Sequence, residues 1–137
     1  MRSVMFGFVG AAALLAALPA LSHHSFAAEF DINRPVKLTG TVTRLEWTNP
    51  HAWVFVDAKD ASGKTQSWAV ELVGINDLLR RGWGRDKVHE GDVISVDGFG
   101  AKNGTNTVNA KSVSLASTGQ LLWASEAREE QKKDIPQ

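Results

Sequence analysis

Histidine is the chain's main source of ligating nitrogen, and two of its four histidines, His23 and His24, stand side by side directly after an apolar N-terminal stretch. If His23 opens a processed chain, its free amine and its ring nitrogen chelate one ion, and His24 adds amide and imidazole donors. A nitrogen-rich, roughly planar donor set of this kind suits Cu(II). Protons compete only modestly near neutrality, because an α-amine titrates at about 7.7 to 8.0 and an imidazole near 6.5. His51, directly after Asn49-Pro50, supplies a third nitrogen if the N-terminal arm folds back over that loop. The 137 residues contain no cysteine, which excludes thiolate ligands, a thiol nucleophile and disulfides. The competing alternative is a solvated chain start and an ordinary strand histidine. His89, in the polar stretch Lys87-Val88-His89-Glu90-Gly91-Asp92, reads as a solvated loop residue.

Aromatic and guanidinium groups form the second candidate surface. Trp47, Trp53, Trp68 and Trp83, with Phe55 and Phe99, lie in or near strands, where the ordinary role of an indole is to fill the core. Whichever of Trp53 and Trp68 faces outward can instead form a stacking platform on a barrel's ligand face. Residues 78–85 gather Arg80, Arg81 and Arg85 beside Trp83, a set able to grip a carboxylate or phosphate in fork geometry. The plainer alternative is a helix whose last turn is basic because cations suit its negative end. Glu46 and Glu71 are candidate partners for those arginines, or oxygen ligands beside His51. Trp53, Trp68, Arg80, Arg81 and Trp83 are thus the expected surface for an anionic or aromatic small ligand or a protein partner.

Lys+Arg and Asp+Glu are 15 each, so the chain lacks the basic excess that polyanion binding requires, and nucleic acid is not expected as a partner. There is no P-loop, no dinucleotide-binding glycine pattern, no zincin helix and no serine in an elbow context. The expected function is therefore non-catalytic binding, of copper or a similar divalent metal. An accessory module using the Trp/Arg surface is the alternative, and a copper oxidase with a terminal-histidine site is the catalytic variant.

The elements that must position these residues follow from patterning. Residues 4–18, after Arg2, are almost wholly apolar; the run is shorter than the roughly 20 residues needed to span a bilayer. With the small side chains Ala20 and Ser22 beyond it, residues 1–22 read as a secretory signal peptide. A cut after Ala20, or a retained anchor, is the alternative. Export to the periplasm or outright secretion is expected, with no membrane attachment once the signal is removed. An arm at 23–35, a β-barrel at 36–123 and a polar, disordered tail at 124–137 complete the expected organisation.

Apolar and polar residues alternate from Val36 onward, the period of strands with one buried face. Val36, Leu38 and Val42 share one parity and Leu45 and Trp47 the other, so the first strand must slip phase, with Gly40 easing the bend. Further strands are expected over 51–58, 65–72, 93–99 and 107–115. A short helix is expected over 74–82, capped by Asn76 or Asp77 and stopped by Gly82. Three strands, a helix and two strands give a mainly β, OB-fold-like Greek-key barrel; a plain sandwich is the alternative.

The string His23-His24-Ser25-Phe26-Ala27-Ala28-Glu29-Phe30-Asp31, then Glu46-Trp47-Thr48-Asn49-Pro50-His51-Ala52-Trp53, then Leu78-Leu79-Arg80-Arg81-Gly82-Trp83, resembles a family of small exported bacterial proteins, domain of unknown function 6152. The resemblance covers nearly all of the chain beyond residue 22. It implies a signal peptide ahead of the paired histidines, and it carries no activity or catalytic residues to transfer. In the relatives an alanine precedes the histidine pair, where this chain has Ser22.

Overall fold

The computed structural model describes residues 25–124; the expected signal peptide, His23, His24 and residues 125–137 of the expected tail lie outside them. A one-turn helix, α1 (Phe26–Glu29), leads into the long strand β1 (Phe30–Glu46). Then come β2 (Trp53–Lys59), β3 (Thr65–Glu71), helix α2 (Ile75–Arg80), a 3-10 turn at Arg85–Lys87, β4 (Val93–Ala101), β5 (Thr107–Leu115) and β6 (Leu121–Ala124). The strands are hydrogen-bonded in the order β3-β2-β1-β4-β5-β6, and a parallel β3–β5 pairing joins the ends of the first five into a ring. Every other pairing is antiparallel. This is the mainly β, OB-fold-like barrel expected from the strand pattern, with α2 between the third and fourth strands as read.

β1 makes the closure possible because it serves two neighbours in turn. Its N-terminal part pairs with β4 and its C-terminal part with β2, and Gly40 sits at the handover, opposite both Ala58 and Ile94. A Cβ at Gly40 would lie 2.7 Å from the Asp57 carbonyl oxygen, so only glycine lets the two backbones approach this closely. The register with β2 then shifts between Val42 and Arg44, the phase slip that the parity change requires.

The core is built by the inward parity. Val54 and Val56 of β2, Val70 of β3, Ile94 and Val96 of β4, and Val108 and Val113 of β5 are buried together with Leu72, Leu78, Trp83 and Trp123. Full burial of each aliphatic side chain contributes about 1.5–3 kcal/mol, which lets the barrel stand without a covalent staple.

Three details differ from expectation. β1 starts at Phe30 rather than Val36, because Phe30 pairs with Ala101 across an irregular stretch that carries no alternation. A sixth short strand forms at Leu121–Ala124 on the outside of β5, so Ala124 belongs to the sheet rather than the tail. Neither Asn76 nor Asp77 caps α2. The N-cap is Gly74, and the Ile75 N–H donates to Asn49 Oδ1, 3.1 Å away on the loop between β1 and β2. Asp77 instead pairs with Arg80.

Candidate functional site

Strand parity settles which aromatics face outward. In β2 the buried residues are Val54, Val56 and Ala58, so Trp53, Phe55 and Asp57 face the other way. Across the β2–β3 ladder Val56 is opposite Trp68, whereas Trp53 is opposite Glu71. Trp68 therefore shares the inward side and packs against the core, and Trp53 is the outward indole. Trp83 is only 1% exposed and belongs to the core, which corrects the expectation that it stacks on a ligand or an arginine. Its position follows from the end of α2, where the Trp83 N–H donates to the Leu78 carbonyl and turns the indole inward. Arg80 and Arg81 are exposed; Arg80 is paired with Asp77, and Arg81 Nη1 donates to the Ala124 carbonyl at 3.0 Å. The expected Trp/Arg cluster is thus divided between core and surface.

His51 lies between the Asn49-Pro50 bend, a cis peptide, and β2. The backbone here is tied to the end of β3: Ala52 N–H donates to the Val73 carbonyl, and Leu72 N–H to the Ala52 carbonyl. That exchange brings His51 Nδ1 to 2.9 Å from the Leu72 carbonyl oxygen and 2.8 Å from Glu71 Oε1. A carbonyl oxygen can only accept, so Nδ1 carries the hydrogen. In the neutral ring Nε2 then holds the lone pair, on a side chain that is 43% exposed.

Glu71 is the unusual member. It shares the outward parity of Trp53 yet its side chain is 7% exposed, and it is the sole buried charged residue among those described. Burial raises its pKa above the ordinary carboxylate value, His51 and the Asn109 side chain pull it back, and the charge of Glu29 pushes it further up. Its Oε2 is buried without a hydrogen-bond partner. Glu46 turns to Arg44, 2.6 Å away. Of the two glutamates considered beside His51, only Glu71 is there, as an acceptor rather than an arginine partner.

The N-terminal segment is held against this part of the barrel by its own contacts. Phe26 packs on Phe30 and Phe99, Lys102 N–H donates to the Glu29 carbonyl at 2.9 Å, and Lys102 Nζ donates to the Ala27 carbonyl. In the ladders Phe99 is opposite Asn109, and Asn109 is beside Glu71. Among the described residues no group of three or more His, Cys, Asp or Glu side chains is placed to hold a metal ion. His51 is the expected metal residue within the described part, and His23 and His24 lie outside it. His89 is an exposed loop residue, its N–H donating to Asp92 Oδ2 at 2.9 Å.

Sequence reasoning missed two features of this face. The Arg44 guanidinium lies 4.0 Å from the Phe55 ring centroid, beside a shallow groove lined by Thr43, Ser67, Trp68 and the turn at 105–107. The docking of Phe26 on Phe99 was also unseen. Arg44 opposite Phe55 could be found only from the ladder register, which the bulge displaces.

Residues 12–110 match a family described as Family of unknown function (DUF6152). No curated protein matches the chain. Among solved structures, the chain is similar to the N-terminal domain of PriB protein from Thermoanaerobacter tencongensis, described as dimeric. The two are 17% identical with a TM-score of 0.43, over 61% of this chain and 97% of that one. The family match covers well over half of the sequence, and with its paired histidines and Asn-Pro-His corner the chain belongs to DUF6152, a family of unknown function.

Proposed function

We propose that the chain is an exported, non-catalytic binding protein of the periplasm that holds copper or a similar divalent ion through His23, His24 and His51. The observation that carries this reading is the ring of His51. Its Nδ1–H is committed to the Leu72 carbonyl and the Glu71 carboxylate, which leaves the lone pair on Nε2 of a side chain that is 43% exposed. Metal-bound imidazoles are typically backed in this way, because the bond behind the ring fixes both its tautomer and its orientation. The other donors of this reading, His23 and His24, lie outside the described residues. His24 directly precedes Ser25, and two residues reach at most about 7 Å. The segment they lead into is fastened to the barrel by Phe26 and Lys102.

The test is a Cu(II) titration, by spin resonance and calorimetry, of protein processed to begin at His23. Binding tighter than about micromolar, roughly −8 kcal/mol, is expected, and weaker binding discards the metal. His51→Ala should weaken it. One alanine added ahead of His23 should weaken it too, and unchanged binding there rules out the terminal chelate. The intact mass of the exported protein gives its first residue.

A second reading, a surface for an aromatic or anionic ligand or a protein partner, is favoured by the outward Trp53 and by Arg44 stacked on Phe55. It calls for fluorescence quenching by an aromatic carboxylate that Trp53→Phe abolishes; the metal reading calls for none.

A further inference from the structure

We propose that Glu71 is a positioning residue for the His51 metal ligand, and that its buried charge biases the site towards a divalent rather than a monovalent ion. The inference deepens the metal reading and rests on it.

The Leu72 carbonyl alone suffices to decide which ring nitrogen carries the hydrogen, so the carboxylate contributes something else. That contribution is charge. Glu71 sits on the side of the ladder shared with Trp53, where a polar residue ordinarily meets water, yet its side chain is only 7% exposed. Oε1 takes the His51 Nδ1–H at 2.8 Å, and Oε2 has no partner. The charged groups whose fields reach it are His51, which favours the carboxylate, and Glu29, which opposes it. Oε1 lies directly behind the His51 ring, so a metal at Nε2 would meet the carboxylate's charge across the imidazole. Coulomb attraction is proportional to the charge of the ion and is strengthened by low local dielectric. A carboxylate fixed behind the ring therefore favours a divalent ion about twice as strongly, in free energy, as a monovalent one at the same place.

Glu71→Gln keeps the size and one acceptor oxygen but removes the charge. The protein is the processed chain beginning at His23, shown by its amide spectrum to be folded. Cu(II), Zn(II) and Cu(I) affinities are measured with competing chelators, and the His51 Nδ1 proton is followed by NMR without metal. In Glu71→Gln the Nδ1 proton should stay on Nδ1 but move upfield, as expected when a charged acceptor is replaced by a neutral one. Cu(II) and Zn(II) affinities should fall about 10–100-fold, and Cu(I) affinity should fall less. Glu71→Asp, which restores the charge, should recover part of the loss. Wild-type binding that Glu71→Gln leaves unchanged, or equal losses for Cu(I) and Cu(II), overturns the role of Glu71 while the metal reading stands. Absence of Cu(II) and Zn(II) binding by the wild type overturns both, and the Nδ1 proton then reports the His51–Glu71 bond as purely structural.

Discussion

The ring of Phe26 meets the ring of Phe99 edge-on, with centroids 5.6 Å apart, so α1 is clipped to β4 instead of standing off the barrel. Phe26 also stacks on Phe30 at 5.7 Å. An aromatic pair of this kind contributes about 0.5–1.5 kcal/mol beyond the area it buries. Phe99→Ala should therefore release residues 25–29 while the barrel stays folded. Hydrogen exchange checks this: amides of α1 lose protection and those of β2 and β3 keep theirs. Equal loss along the chain would mean that Phe99 holds the barrel rather than the segment.

Glu71 makes stability depend on pH with a definite sign. Burial raises its pKa in the folded state above the ordinary carboxylate value. Between the two values the native state binds more protons than the unfolded state, so stability falls as pH rises through that window. The stabilising contribution is fully present below the ordinary carboxylate pKa and is lost as pH passes the raised one. Glu71→Gln removes the titration. Its urea midpoint, relative to wild type, should therefore be more favourable at pH 7 than at pH 4; a constant difference across that range would rule the effect out.

Much of the barrel could be read from sequence because one physical signal, alternation, fixes it. Val54 and Val56, Val70 and Leu72, and Ile94 and Val96 mark inward faces, and the parity change between Val42 and Leu45 places the bulge observed there. The start of β1 could not be read in that way, because Ile32, Asn33, Arg34 and Pro35 are all exposed and carry no period. The site was half legible. His51 stands out by residue type, but its tie to Glu71 depends on register and on the exchange between Ala52 and Leu72, neither of which is local in sequence. The inward turn of Trp83 depends likewise on the end of α2.

Asn49 gives a test of the loop that presents His51. Its Oδ1 takes the Ile75 N–H at 3.1 Å, acting on α2 from a distance as a capping side chain would. Loss of such a bond costs about 0.5–2 kcal/mol. Asn49→Ala should lower stability by that amount, and His51 ring resonances should broaden because its loop is no longer tied to the helix. Asn49→Asp, which keeps the acceptor, should restore both. An Asn49→Ala protein with wild-type stability and a sharp His51 signal would show that the contact carries no weight.

Gly40 tests the closure of the barrel itself. An added methyl group would sit 2.7 Å from the Asp57 carbonyl oxygen and 3.2 Å from the Ala58 Cβ, at the point where β1 passes from β4 to β2. Neither neighbour can yield easily, since one is ladder backbone and the other faces the core. Overpacking of this kind costs about 1–3 kcal/mol, and in a domain near 100 residues each kcal/mol lowers Tm by about 4–8 °C. Gly40→Ala should thus melt well below wild type. Gly63 supplies the contrast: a methyl group there meets nothing within 4 Å and only the positive φ of 83° opposes it, so Gly63→Ala should cost less. If the two variants melt together, close backbone approach at Gly40 is not what the glycine provides.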